Sequence, residues 1–183
     1  MESHGVGASR HPAGHHVTVE ICLVRHAIAE ERGPTWSNDD LRPLTPGGRA
    51  KMATAAAGLA TLFVPDVILS SPLLRAIETA EILARQFAAP IHVCDALATG
   101  EHGALLDDVA ATGRRRIVCV GHEPWMSGAL SWLLTGDAGA IAAFFRKGAA
   151  ALVSLESHQA GAAMLEWLLQ PSALRALAAA PRS

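Results

Sequence analysis

The sequence lacks a strong net charge of either sign, and it has no long uninterrupted apolar run. Its formal net charge is −2, so no overall basic field favours non-specific binding to nucleic acid, and any anion must be bound by a local cluster of cations. Pro65-Asp66 interrupts the most apolar stretch, residues 53–69, which is therefore a poor candidate for a membrane-spanning helix. We expect neither nucleic acid nor a membrane as a partner.

Cysteine is also scarce, with three residues in the chain (Cys22, Cys94 and Cys119). All three lie in strand-like apolar segments, and their odd number predicts buried free thiols in a reducing compartment rather than a disulfide framework. The first residues contain no apolar segment of the kind found in secretory signals. Together these features predict a cytoplasmic protein.

Composition divides the chain into two parts. Residues 1–16 are rich in Gly, His and small side chains and show no hydrophobic period, which predicts a flexible leader. Residues 17–183 contain most of the aliphatic side chains, and their number suits one domain with a sizeable core. We therefore expect a single domain over residues 17–183.

Strand and helix patterns alternate after the leader. Strands are predicted at residues 17–24, 66–69, 91–94 and 116–120. Thr45-Pro46 and Ser71-Pro72 each predict a helix start, with a side-chain cap followed by proline at the first helical position. Further helices are predicted over residues 102–111 and from Pro124 to about Leu134. This alternation predicts a three-layer α/β/α sandwich with a mostly parallel central sheet and right-handed crossovers.

The C-terminal part has a different pattern. Residues 149–155 and 162–169 are strand-like and flank the turn-like segment 157–161, which predicts an antiparallel hairpin. A short helix is predicted to follow from Pro171.

Basic and imidazole side chains stand where three of the predicted strands end. Arg25-His26 follows the first strand, His122 follows the fourth, and Arg75 lies just after Ser71-Pro72. The carboxyl ends of parallel strands meet at one edge of the sheet, where open α/β folds bind ligands. The sequence therefore predicts a cluster of two histidines and two arginines at this edge.

Such a cluster suits a phosphoryl group. Phosphoryl transfer needs a nucleophile in line with the leaving group and positive charge around the equatorial oxygens. A neutral imidazole is a competent nucleophile, and an arginine fork binds two oxygens at once. Neighbouring cations lower the pKa of a histidine, so we expect His26 to be neutral near pH 7. The alternatives are a metal bound by the two histidines, which nearby arginines would disfavour, or purely structural roles.

The ordered motifs resemble those of the histidine phosphatase superfamily, which has the phosphoglycerate-mutase-like fold. The hallmark Arg-His-Gly is present as Arg25-His26-Ala27, and later motifs correspond to residues 71–76 with Thr79, and to Gly121-His122. Within the superfamily the chain is most similar to the short SixA-type phosphohistidine phosphatases, whose second characteristic segment corresponds to residues 42–48. The resemblance covers essentially residues 19–178.

This resemblance implies a role for each matching residue. His26 would be the phosphorylated nucleophile, Arg25 and Arg75 would clamp the phosphate, and His122 would donate a hydrogen bond to it. Arg42 would be an additional phosphate-binding arginine, with a surface arginine in a turn as the alternative. Ser71 and Thr79 are expected to cap and pack a helix. The implied mechanism is metal-independent and requires no organic cofactor.

Two positions depart from the family pattern or leave it open. Ala27 replaces the hallmark glycine, and alanine tolerates a positive φ poorly, so we expect a slightly different turn. Larger members use a carboxylate as a general acid, and Glu101 is the only carboxylate in the corresponding loop, residues 98–103. Glu101 is therefore the candidate general acid, and a solvated residue at the start of a helix is the alternative reading.

The role of Glu101 bears on the choice of substrate. A phosphohistidine leaves as imidazole and needs little help from an acid, whereas an alkyl phosphate gains about 10²–10⁴-fold from one. The leading hypothesis is a phosphatase that hydrolyses phosphohistidine on a protein. The alternatives are a phosphomonoesterase acting on a small phosphorylated metabolite by the same mechanism, and a non-catalytic phosphate-binding module.

Overall fold

The computed structural model describes residues 18–99 and 102–180, and one six-stranded sheet runs through this part of the chain. The strand order is β3-β2-β4-β1-β5-β6. Strands β1, β2, β3 and β4 pair in parallel, whereas β5 and β6 run antiparallel beside β1. The strands are β1 (Val19–Arg25), β2 (Val67–Ser70), β3 (Ile91–Val93), β4 (Arg116–Gly121), β5 (Ala150–Leu155) and β6 (Ala163–Leu169). The predicted mostly parallel sheet and the predicted C-terminal hairpin are both confirmed.

Helices cover both faces of the sheet and complete three layers. Successive side chains of a strand point to opposite faces, so Ile21 and Leu23 pack with α3, α4 and α5, while Cys22 and Val24 pack with α1, α2 and α6. All four of these β1 side chains are fully buried. The helices are α1 (Pro46–Leu59), α2 (Leu74–Phe87), α3 (Ala96–Thr99), α4 (His102–Ala111), α5 (Trp125–Thr135) and α6 (Pro171–Ala179). The predicted α/β/α sandwich is therefore confirmed.

Helices α1 and α6 pack closely because α1 carries glycine where they meet. A Cβ added at Gly58 would overlap the carbonyl oxygen of Leu174. Leu174 is the buried residue that anchors α6 on this face of the sheet. Glycine at this position thus fixes the spacing of the two helices, whose outer surfaces flank a groove described below.

The two predicted helix starts have different outcomes. Thr45 caps α1 as predicted, since its Oγ1 accepts a hydrogen bond from the backbone N–H of Gly48 at 2.8 Å. The prediction for the second start was wrong, because α2 begins at Leu74 and has no side-chain cap. The hydroxyl of Ser71 is instead hydrogen-bonded to the ring of His122. The same oxygen accepts from the backbone N–H of Leu73 at 3.4 Å, just before α2, so Ser71 lies at the edge of the sheet and does not cap the helix.

The remaining predicted strands and helices begin and end within a residue or two of the observed positions. The helices predicted over residues 102–111 and after Pro124 are confirmed as α4 and α5. Helix α3 and a 3-10 turn at Asp39–Leu41 were not predicted.

The three cysteines are buried and unpaired, as expected. No helix within the described ranges is long and apolar enough to cross a membrane. The predicted leader, residues 1–16, lies outside the described residues.

Candidate active site

His26 lies immediately after β1, and its backbone extends the pairing of that strand with β4. Its N–H donates to the carbonyl of Gly121 at 2.9 Å, which brings the next residue along β4, His122, beside it. The ring of His26 is 5 % exposed, and its centroid lies 5.1 Å from that of His122. Pairing of two parallel strands therefore brings the two histidines together, as the sequence predicted.

A hydrogen bond fixes the tautomer of His26. Nδ1 lies 2.7 Å from the carbonyl oxygen of Ala27. A carbonyl oxygen can only accept, so Nδ1 must carry the proton and donate it. In the neutral ring the lone pair then resides on Nε2. His26 is thus held in the form in which Nε2 can act as a nucleophile.

The turn after His26 is held by a residue of α2. The N–H of Ala27 donates to Oγ1 of Thr79 at 3.0 Å, and that hydroxyl donates to the carbonyl of Arg75 at 2.7 Å. Ala27 does not adopt a positive φ, so alanine in place of the hallmark glycine is accommodated without backbone strain. Thr79 therefore orients the histidine turn in addition to packing within the helix.

His122 is tied to Ser71 at the end of β2. A hydrogen bond of 2.7 Å joins Nε2 of His122 to Oγ of Ser71, and its direction depends on the ring tautomer because the hydroxyl can donate or accept. The Nδ1 atom is buried and has no hydrogen-bond partner among the residues described. His122 therefore has a ring nitrogen left for a bound group.

Three arginines surround the histidine pair, and each uses only part of its guanidinium within the protein. Nη1 of Arg25 donates to the carbonyl of Phe145 at 2.6 Å, and Nη1 of Arg75 donates to the carbonyl of Asp39 at 2.9 Å. The Nε atoms of Arg25 and Arg75 are buried without a partner in the described part of the chain. An arginine has five N–H donors, so both side chains keep donors for an anion.

Asp39 organises two of the arginines from the 3-10 turn. Its Oδ1 accepts from Nε of Arg42 at 2.8 Å, and its Oδ2 lies 3.3 Å from Nη1 of Arg75. Arg42 also donates from Nη1 to the carbonyl of Glu30 at 2.7 Å. The hydrogen bond from Arg42 and the nearby cations lower the pKa of Asp39, although partial burial opposes this. Arg42 is therefore a buried, oriented side chain and not a surface arginine.

Both histidines are held neutral near pH 7. Burial, the neighbouring His122 and the cations Arg75 and Arg25 lower the pKa of His26 to about 3, against the hydrogen bond to Ala27. Burial and the nearby arginines lower the pKa of His122 to about 4. The sequence predicts a neutral His26 from its neighbouring cations. Burial is the larger cause, because the charged imidazolium loses its hydration in this pocket.

The two histidines and the three arginines line one cavity of about 330 Å³. It is lined by Arg25, His26, Arg42, Arg75 and His122, together with Glu30, Glu31, Arg32, Glu123 and Lys147. The first five are the phosphate-site residues predicted from the sequence, and the structure brings them to one place. Glu101, the candidate general acid, lies outside the described residues. No group of three or more metal-ligating side chains is found in the described ranges.

One carboxylate of the pocket, Glu123, is fully engaged in local structure. Its oxygens accept hydrogen bonds from the backbone N–H of Phe145, the backbone N–H of Ser127 and the hydroxyl of Ser127. Asp108, which follows the loop of Glu101, accepts from the thiol of Cys94. Glu123 is therefore held by neighbouring donors, and Asp108 does not line the cavity.

Sequence reasoning missed Asp39, Lys147 and the contact made by Ser71. Asp39 precedes Arg42 by three residues, a spacing that permits an ion pair, but the irregular segment gave no other signal. Lys147 lies on the segment between α5 and β5, for which no element was predicted. Ser71-Pro72 matched a helix start so well that its hydroxyl was assigned to capping.

The arrangement can hold a tetrahedral dianion. Guanidinium groups and a ring nitrogen surround the space beside His26, and the N-terminal end of α2, which carries Arg75, contributes the positive end of its dipole. A neutral imidazole with its Nε2 lone pair faces this group of donors. Such a site can accept a phosphoryl group onto a nitrogen atom.

Comparison with known protein sequences identifies relatives of part of the chain. Residues 21–105 match the family model of the histidine phosphatase superfamily, branch 1. An uncharacterized protein of Picosynechococcus sp. is 38% identical over 112 residues, which are 58% of this chain and 67% of that protein.

Solved structures extend the comparison beyond the family match. The protein histidine phosphatase SixA, solved in complex with tungstate, is 24% identical with a TM-score of 0.72, covering 85% of this chain and 99% of SixA. A protein from Nakamurella multipartitia, named as a SixA phosphohistidine phosphatase, is 26% identical with a TM-score of 0.70, covering 87% of this chain and 98% of its own. The chain thus belongs to the histidine phosphatase superfamily, is of the SixA type, and is a phosphatase that works through a phosphohistidine intermediate.

Proposed function

We propose that this phosphatase removes phosphoryl groups from phosphohistidine on another protein, with His26 as its nucleophile. The observation that carries the proposal is the hydrogen bond from Nδ1 of His26 to the carbonyl of Ala27. That bond directs the lone pair of the neutral ring to Nε2, within a pocket of cations. A structural histidine can also have a fixed tautomer, but here the ring lies in a cavity lined by arginines that can bind a phosphoryl group.

The reaction takes place in two steps. The lone pair of His26 Nε2 attacks phosphorus, the P–N bond of the substrate breaks, and the departing imidazole takes a proton from solvent. A water molecule then attacks the phosphorus on His26, the Nε2–P bond breaks, and orthophosphate leaves. The imidazole of His26 is regenerated in its neutral form, so no oxidant, metal or further co-reactant is needed for balance.

The other pocket residues have complementary roles in this proposal. Arg25 and Arg75 bind the equatorial oxygens, where charge resides in the transition state, and Arg42 adds a third cation. His122 donates to the same group, because its ring carries a proton on one nitrogen even when neutral. Glu101 is the candidate acid for an ester substrate, and the phosphohistidine reaction does not depend on it.

Two features favour phosphohistidine over an alkyl phosphate as the substrate. An imidazole leaving group accepts its proton on a basic nitrogen, whereas an alkoxide needs an acid positioned beside it. Of the three carboxylates that line the described pocket, Glu123 is held by three donors, Glu31 is exposed, and Glu30 is half-buried beside Arg42, which donates to its backbone carbonyl. The unpaired buried cysteines also support a reducing compartment, and we propose the cytoplasm as its location.

The test is phosphate release by the purified protein from two kinds of substrate. A phosphohistidine-bearing carrier protein is compared with a panel of phosphomonoesters, and His26→Ala serves as the inactive control. We expect release from phosphohistidine that falls by at least about 10³-fold in His26→Ala. Faster release from one ester, with loss of that activity in Glu101→Gln, would instead assign the enzyme to metabolite dephosphorylation. Full activity of His26→Ala would contradict the mechanism.

A further inference from the structure

A second cavity, of about 390 Å³, opens beside the phosphate pocket and shares two residues with it, Arg25 and Lys147. It lies between the start of α1, the start of α6 and the segment before β5. We call this cavity the basic groove. Its cations are Lys51 on α1, Arg146 and Lys147 before β5, and Arg175 on α6.

The cations of the basic groove lack acidic partners. No carboxylate lies within 4.0 Å of the charged groups of Lys51, Arg146, Lys147 or Arg175 in the described part of the chain, and none lines the groove. Other cations of the same chain, such as Arg49 and Arg116, do have ion-pair partners. Burial and the nearby Arg25 and Arg42 lower the pKa of Lys147, with Glu31 opposing. Repulsion among these unpaired cations favours the binding of an anionic partner.

The basic groove also has an apolar component. Met52, Ala55 and Pro171 line it, and Phe144 at its side is 63% exposed. A site for inorganic phosphate alone would not need an exposed aromatic ring. Aromatic side chains surrounded by charges are instead typical of protein interfaces, where the ring fills a pocket and the rim is polar.

The position of the basic groove indicates which molecule would occupy it. A phosphohistidine bound at His26 brings the surface of its own protein against the rim of the pocket, and the groove continues from that rim through Arg25 and Lys147. The formal net charge of the chain is −2, so the positive charge here is local and not part of a general basic surface that would bind nucleic acid or anionic membranes.

We propose that the basic groove docks an acidic, partly apolar surface next to the phosphohistidine of the substrate protein. This inference rests on the proposed function. Opposite charges across such a rim raise the rate of productive encounter and fix the orientation of the partner. The groove would thereby select acidic phosphoproteins among those that carry phosphohistidine.

The test compares a charge-reversed groove with a charge-reversed control surface. The groove variant is Lys51→Glu/Arg175→Glu, which changes both walls without touching the phosphate pocket. The control is Arg114→Glu/Arg115→Glu, which makes the same change of charge at two exposed arginines just before β4. These residues lie at the opposite end of that strand from His122. Each protein is assayed on free phosphohistidine and on a phosphohistidine carrier protein with carboxylates around its histidine.

We expect the groove variant to lose at least about tenfold in kcat/KM on the acidic carrier, mainly through KM. Its activity on free phosphohistidine should equal that of the wild type, and the control variant should keep both activities. Raising the salt concentration from about 50 mM to about 500 mM should lower kcat/KM of the wild type on the carrier but leave the groove variant nearly unchanged. Replacing the carboxylates of the carrier with lysine should restore turnover by the groove variant.

Three results would contradict the proposal that the basic groove is a docking surface. The first is an unchanged kcat/KM of the groove variant on the acidic carrier. The others are a loss of kcat/KM by the groove variant that is as large on free phosphohistidine as on the carrier, and an equally large loss of kcat/KM on the carrier by the control variant. A wild type that hydrolyses neither phosphohistidine substrate would overturn the proposed function and the docking surface with it. Normal hydrolysis by the wild type with an unaffected groove variant would overturn the docking surface alone.

Discussion

At the scale of single residues, the site depends on where one proton resides. The carbonyl of Ala27 fixes the proton of His26 on Nδ1, and burial keeps the ring neutral. The positions of His26, His122, Arg25 and Arg75 were predictable because each lies at the end of a strand with a clear apolar pattern or in the motif that follows it. The contacts of Ser71 and Thr79 were not, because a hydroxyl near a helix start fits capping and site contacts equally well in sequence.

Thr79 offers a test of how the histidine turn is held. Thr79→Val removes the hydroxyl that accepts from the N–H of Ala27, and an unsatisfied buried N–H costs about 1–3 kcal/mol. We expect kcat to fall by about tenfold or more with little change in KM, because phosphate binding is intact but His26 is misoriented. Steady-state kinetics on phosphohistidine provide the measurement. Thr79→Ser should restore kcat, and equal loss in both variants would contradict a positioning role for the hydroxyl.

The lowered pKa of His26 predicts loss of stability in acid. The folded pKa of about 3 is below the ordinary value of about 6.5, so the unfolded chain binds a proton that the folded chain excludes. The contribution is fully present above pH 6.5 and is lost as the pH falls towards 3. We expect this residue alone to lower the free energy of unfolding by about 2 kcal/mol between pH 7 and pH 5.

Urea unfolding at a series of pH values measures this loss, and His26→Asn should show a shallower decline than the wild type. The decline should not vanish, because His122, with a pKa of about 4, titrates in the same direction. Identical slopes for the two proteins would show that His26 is not held neutral by the fold.

At the scale of elements, the edge of the parallel sheet accounts for most of the site, and irregular segments supply the rest. Strands β1, β2 and β4 deliver His26, Ser71 and His122 to one edge. The alternation of strands and helices predicted this for the two histidines, but Ser71 was expected to cap a helix. The 3-10 turn with Asp39 and the segment with Lys147 have no periodicity. Their places are determined by tertiary contacts, such as the hydrogen bonds of Arg42 to Asp39 and Glu30, that leave no pattern in the sequence.

The contact between α1 and α6 gives a prediction about packing. Gly58→Ala places a methyl group against the backbone of Leu174, which cannot yield as a flexible side chain would. We expect a loss of about 1–3 kcal/mol in the free energy of unfolding by urea. Gly47→Ala is the matched control, since an added Cβ there meets nothing within 4 Å, and alanine favours a helix over glycine by up to about 1 kcal/mol. Equal stability of the two variants would contradict close packing at Gly58.

At the scale of the whole molecule, one fold carries two adjoining surfaces with different chemistry. The two histidines of the phosphate pocket, with Arg25 and Arg75, belong to motifs at strand ends, which is why the sequence predicted them. The basic groove joins Lys51, Lys147 and Arg175, which are distant in sequence and share no motif. Only the packing of α1, α6 and the segment before β5 brings these side chains together, so no pattern could have predicted the groove.

The most direct measurement is trapping of the phosphorylated enzyme. The protein is mixed with a radiolabelled phosphohistidine carrier, quenched in alkali within its first turnover, digested and mapped by mass spectrometry. The account predicts one phosphoryl group on the peptide that contains His26, stable in alkali and labile in acid, and its absence in His26→Ala. Phosphate release by the wild type with no label on His26, or with label on His122 instead, would contradict the assignment of His26 as the nucleophile.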